Sequence, residues 1–158
     1  MSPAVPPLIR KARFEVRPWD GSLDPPRELL PVVDGVSLVD LVAGYERAAG
    51  FDVPGQYAGL VVDFFRYGDL TDYLLGRPEG GDRGDLGAIA LLGCDCGEFG
   101  CWPLQAQVVA DEERVTWRGF VQPHRPKRDY WDFGPFVFER RQYEQAVRDA
   151  AAILAERD

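Results

Sequence analysis

Apolar residues recur along this chain with two periods, and the switches between them mark its elements. Arg13-Phe14-Glu15-Val16-Arg17 alternates apolar and charged positions, the period-two pattern of a half-buried strand, and Pro18 closes it. Leu29 to Val33 reads as a second short strand, with Pro25-Pro26 in the turn between them. The period then lengthens. Ser37 precedes Leu38, Leu41, Val42 and Tyr45 at helical spacing, with Asp40 in a capping-box-like position and Gly50 as the stop. Asp69 and Asp72 repeat the pattern before a short helix that carries Leu70, Tyr73 and Leu74 and ends at Gly76. Leu86 to Leu92 is a continuous apolar run of strand length, expected at the centre of a sheet, and Leu60 to Phe65 is a weaker strand candidate whose pattern also fits a helix. Leu104 to Ala110 and Arg114 to Phe120 flank Asp111-Glu112-Glu113 as an antiparallel hairpin, and Gly134 to Phe138 gives a short strand. The last element, Arg140 to Glu156, sets Tyr143, Ala146, Val147, Ala150, Ile153 and Leu154 on one stripe, so Val147, Ile153 and Leu154 are expected to pack on the sheet with Arg148 and Glu156 facing water.

These elements predict an α+β fold in a single domain over 9–158: a mainly antiparallel sheet packed against a long C-terminal helix and one or two shorter helices. Residues 1–8 read as a proline-rich arm, and Glu79 to Asp85 as a flexible loop tip.

Composition narrows the function classes. The chain has 158 residues, enough for one core, and a formal net charge of -8 argues against an affinity for nucleic acid built on phosphate neutralisation. An anionic membrane surface is disfavoured for the same reason, no apolar run approaches the ~18 residues that span a bilayer, and the first residues lack signal-peptide regions. A cytoplasmic location is therefore expected. The sequence contains no Asn, and its cations are nearly all Arg, which fits the codon bias of a GC-rich bacterial genome. With hydroxyls only at Ser2, Ser22, Ser37, Thr71, Thr116 and the tyrosines, and one histidine, His124, most hydrolase constellations lack parts.

All three cysteines fall in Cys94-Asp95-Cys96-Gly97-Glu98-Phe99-Gly100-Cys101, a C-x-C-x4-C spacing. In a reducing compartment such a turn suggests free thiols or metal ligands over a disulfide framework. A zinc site would need four ligands: Cys94, Cys96, Cys101 and, as the fourth, His124 or a carboxylate such as Asp95 or Glu98. The plainer expectation is no cofactor, with small Cys and Gly residues letting two strands and the rings Phe99 and Trp102 approach closely. A reactive thiol would have to overcome Asp95 and Glu98, whose charges raise a thiol pKa. The segment resembles the zinc-binding tail of SET methyltransferases in spacing alone, because the fourth cysteine and the core motif are missing.

Taken with Val115-Thr116-Trp117, Phe136-Val137-Phe138 and Tyr143, the turn resembles a family of uncharacterised bacterial proteins with a C-G-x-x-G-C turn, a V-x-W strand and an F-x-F-x4-Y entry to the last helix. The resemblance covers roughly residues 85 to 155 and implies a common domain without implying a catalytic residue.

One further stretch concentrates recognition chemistry. Pro123-His124-Arg125-Pro126-Lys127-Arg128 is basic on an acidic chain and runs into Asp129-Tyr130-Trp131-Asp132-Phe133. His124, Arg125, Arg128, Tyr130 and Trp131 are the candidate interaction residues if exposed, and Tyr130, Trp131 and Phe133 are anchoring rings if turned inward. The paired carboxylates Asp69 and Asp72 are explained by capping, and Glu112 and Glu113 by a turn. The function expected is a non-catalytic protein-interaction module whose partner, from the overall charge, is basic. The alternative is a thiol-dependent or zinc-dependent enzyme centred on the cysteine turn, and a homo-oligomer is left open.

Overall fold

The structure, a computed structural model, describes residues 8–18, 27–51, 54–61, 69–77, 88–94, 103–130 and 132–155. Among these, ten strands form two sheets and three helices pack against them. The strands are β1 (Ile9–Arg10), β2 (Ala12–Pro18), β3 (Arg27–Val33), β4 (Val36–Ser37), β5 (Tyr57–Ala58), β6 (Leu60–Val61), β7 (Ala88–Cys94), β8 (Leu104–Ala110), β9 (Arg114–Val121) and β10 (Phe136–Glu139). The helices are α1 (Leu38–Ala49), α2 (Leu70–Leu74) and α3 (Arg140–Ala155). The molecule is an α+β domain, as the periodicities predict.

The larger sheet runs β1-β10-β9-β8-β7-β5, antiparallel except where β1 lies parallel to β10. The smaller holds β2-β3-β4, with β6 also paired to β3. A single sheet would leave the apolar run of β3 half exposed. Instead Leu29, Leu30, Val32 and Val33 are all buried, so both faces of β3 are covered. Two single residues carry the chain from one sheet to the other, Lys11 between β1 and β2 and Gly59 between β5 and β6. A Cβ at Gly59 would lie 2.6 Å from the carbonyl oxygen of Leu29, so only glycine allows that step.

Local signals behave as read. Ser37 Oγ accepts from the Asp40 N–H at 3.1 Å, and Gly50 ends α1 at φ 74°. Asp69 Oδ2 accepts from the Asp72 N–H at 3.1 Å at the start of α2. Asp111 Oδ1 accepts from the N–H groups of Glu113 and Arg114, both at 2.8 Å, which closes the β8–β9 hairpin.

The core joins α3 to both sheets. Phe14 of β2 packs edge-on to Tyr143 at 5.6 Å, and Trp117 of β9 packs on Phe138 at 4.7 Å. The Trp117 indole N–H donates to Tyr143 Oη, which in turn donates to the Leu74 carbonyl of α2 at 2.6 Å. The buried stripe of α3 is Tyr143, Ala146, Val147 and Ala150. Ile153 departs from expectation, since 47% of it is exposed, and Leu154 is only half-buried. Both stand in the final turn, and Ile153 lies to one side of the line that Tyr143, Val147 and Ala150 define. Glu79 to Asp85, and the part of the predicted Leu60 to Phe65 strand beyond Val61, lie outside the described residues.

Candidate functional site

Among the described residues strand β2 pairs with β3 alone, which makes it an edge of the smaller sheet. Backbone groups along an antiparallel strand point alternately to either side, and two observations fix which side is which. The Lys11 carbonyl accepts from the Asp34 N–H at 2.9 Å, on the β3 side. Ala12 turns the other way: its N–H donates to Gln142 Oε1 at 2.8 Å and its carbonyl accepts from Gln142 Nε2 at 2.6 Å. The side-chain amide of Gln142 thus stands where a neighbouring strand would offer a peptide group. Phe14 and Val16 share the parity of Ala12, so their N–H and C=O groups also point off the sheet. Pro31 lies opposite Phe14, at a position where its missing N–H costs no ladder bond.

Helix α3 runs beside this edge, and between the two lies a groove of about 850 Å³. On the helix side Ala146, Ala150 and the exposed Ile153 stand among Gln142, Gln145 and Asp149, while Arg13, Glu15 and Arg17 line the strand side. Arg13 pairs with Glu15, and Arg17 Nε donates to Glu28 Oε1 at 3.2 Å. Asp34, also lining the groove, is held below the usual carboxylate range by the N–H of Lys11 and the guanidinium of Arg10.

A second polar assembly is sealed in the interior. Glu46 belongs to the apolar stripe of α1 and is fully buried. Its Oε1 accepts from the Gly55 N–H at 2.7 Å. Its Oε2 accepts from Tyr57 Oη at 2.8 Å, Tyr130 Oη at 2.6 Å and an Arg128 terminal nitrogen at 3.1 Å. Arg128, itself 7% exposed, also lies over the Phe51 ring at 5.3 Å. Burial, then the bond to Glu46, pushes the Tyr130 phenol up to about 12, and burial pushes Tyr57 higher still, so both hydroxyls stay protonated donors. Four donors from two segments, 55–57 and 128–130, saturate the carboxylate and fasten both segments to α1.

The residues singled out in the sequence fall partly within the described structure. Cys96, Cys101 and Trp131 lie outside the described residues, as do Asp95 and Glu98. Cys94 ends β7, its backbone paired with Tyr57. His124 and Arg125 are exposed on a turn, where the His124 N–H donates to Gln122 Oε1 at 2.9 Å. Arg128 and Tyr130 point inward to Glu46, and Phe133 packs on Phe120 at 4.8 Å, so these rings anchor the loop. Among the described residues no cluster of three His, Cys, Asp or Glu side chains could hold a metal ion.

Two residues escaped the sequence reading. Glu46 was detectable in principle, as a carboxylate on a helical apolar stripe. Gln142 was not, since its partner is 130 positions away.

Comparison with models of known families, with curated proteins and with solved structures found no match. No helix among the described residues is long and apolar enough to cross a membrane.

Proposed function

We propose that this chain is a non-catalytic protein-interaction module and that the groove between β2 and α3 is where its partner binds. One observation carries the reading: a strand that is an edge among the described residues directs the backbone donors and acceptors of two alternate residues, Phe14 and Val16, off the sheet beside a groove whose far wall sets Ala146, Ala150 and Ile153 among Gln142, Gln145 and Asp149. Unpaired strand edges of this kind are what extended peptides add to, the backbone giving affinity and alternate side chains giving selectivity. The Glu46 cluster is consistent with that reading, because the most buried carboxylate among the described residues already accepts from four donors of its own chain.

Selection of the folded chain against a random displayed peptide library, followed by amide NMR mapping, tests the proposal. Perturbations are expected on Lys11–Arg17 and Gln142–Ile153. Ligands that perturb other surfaces, or a library that yields none, would overturn it. The thiol or zinc alternative is decided separately: stoichiometric zinc in elemental analysis of the purified chain would favour it over the interaction reading.

A further inference from the structure

We infer that the strand taken up by the groove is β2 of a second copy of this chain, so that two small sheets join edge to edge across a two-fold axis at Val16; this rests on the reading of the groove as the partner site. An interface between identical surfaces must be complementary to itself. The groove lining meets that demand, since Lys11, Arg13 and Arg17 stand among Glu15, Asp34 and Asp149, a balanced set on a chain of net charge -8. A lining of one sign would repel its own copy.

Backbone parity, Gln142 and charge together select one register. The even positions of β2 direct their N–H and C=O groups off the sheet, so they supply the hydrogen-bonded pairs of an added antiparallel strand. The odd positions then face one another in the closer pairs between. An axis at Phe14 would need Ala12, whose N–H and C=O are held by Gln142. An axis at Glu15 would set Glu15 against Glu15 and Arg13 against Arg17, and an axis at Arg17 would set Arg17 against itself. At Val16 these conflicts vanish. Val16 bonds its copy twice, each Phe14 N–H donates to the Pro18 carbonyl opposite, and each Arg17 faces Glu15 of the other chain.

The pairs within one chain survive this arrangement. Arg17 spends Nε on Glu28 across the β2–β3 ladder, so its terminal nitrogens meet Glu15 of the copy from the other side. Glu15 holds Arg13 through Oε2 and offers Oε1. An apolar contact points the same way. Val16 shares the helix-facing side of β2 with Phe14, and Ile153, 47% exposed, lines the same groove. In the pair the two Val16 side chains meet on that side, and Ile153 of each copy is covered.

Sedimentation velocity of the full chain over a concentration series tests the inference. Such an interface is small, so a monomer–dimer equilibrium with a dissociation constant of about 10 to 100 µM is expected, and below it the groove is open to displayed peptides. Val16→Pro removes an N–H directed off the sheet without removing a β2–β3 bond, and should weaken the dimer at least about tenfold. Glu15→Lys and Arg17→Glu should each weaken it about tenfold, and mixing the two variants should restore association to within about threefold, because every facing pair is then of opposite sign. If circular dichroism shows Arg17→Glu unfolded by its place opposite Glu28, Val16→Pro and Glu15→Lys decide. A chain that stays monomeric to about tenfold above the expected range overturns the inference. So does a dimer indifferent to Val16→Pro and Glu15→Lys, or a mixture that associates no better than its components. If the chain is monomeric while the displayed library yields ligands in the groove, the second copy fails and the interaction reading stands. If the library fails as well, both fail.

Discussion

Glu46 illustrates how much one side chain can hold together. Removing its carboxylate leaves the Tyr57 and Tyr130 hydroxyls, the Gly55 N–H and the Arg128 guanidinium facing a hole. Glu46→Ala should therefore cost about 3 to 5 kcal/mol in chemical denaturation, while Tyr57→Phe, which removes one of four donors, should cost about 1 kcal/mol. The same cluster sets an alkaline limit. The Tyr130 phenol ionises near 10 when unfolded and at about 12 when folded. A raised folded value means that the stability it contributes is complete below pH ~10 and is lost as pH climbs through 12. Unfolding free energy followed across that window should fall steadily, and Tyr130→Phe should reduce the slope. A flat profile in the parent chain would refute the assignment.

At the scale of elements, local grammar was readable and long-range coverage was not. Ser37, Asp69 and Asp111 act on backbone groups two or three residues away, so their roles show in the spacing. Ser37→Ala is expected to cost about 1 kcal/mol, the usual worth of a helix cap. Strand β3 gave its apolar character but not its second covered face, because what covers it comes from distant segments. The buried stripe of α3 was read one turn too long, since Ile153 is exposed and Leu154 half-buried. Ile153 satisfies helical spacing yet lines the open groove, so Ile153→Ala should change stability by less than about 0.5 kcal/mol, against about 1 to 3 kcal/mol for the buried Val147→Ala. Equal losses measured by thermal unfolding would place Ile153 in the core after all. The groove itself was invisible in the sequence: alternation marked Arg13 to Arg17 as a strand, but nothing in it tells a central strand from an edge.

For the molecule as a whole, Gly59 is one of two single-residue steps, with Lys11, that join the two sheets. Gly59→Ala would press a methyl group into the Leu29 carbonyl, in the middle strand of the smaller sheet, where the backbone cannot retreat. A loss of about 3 kcal/mol or more is expected, larger than for a glycine with open space around it such as Gly44. In the parent chain, unfolding by circular dichroism and by tryptophan fluorescence should coincide, because no boundary divides the core. The two steps also determine where a pull would go. Tension applied along β2 runs through Lys11 to β1 and β10, and also reaches β3 as shear across their shared ladder, passes through Leu29 and Glu28 to β6, and crosses Gly59 to β5 and β7. A tether caught on the edge of the small sheet is thereby anchored in the large one, and the load is spread over both.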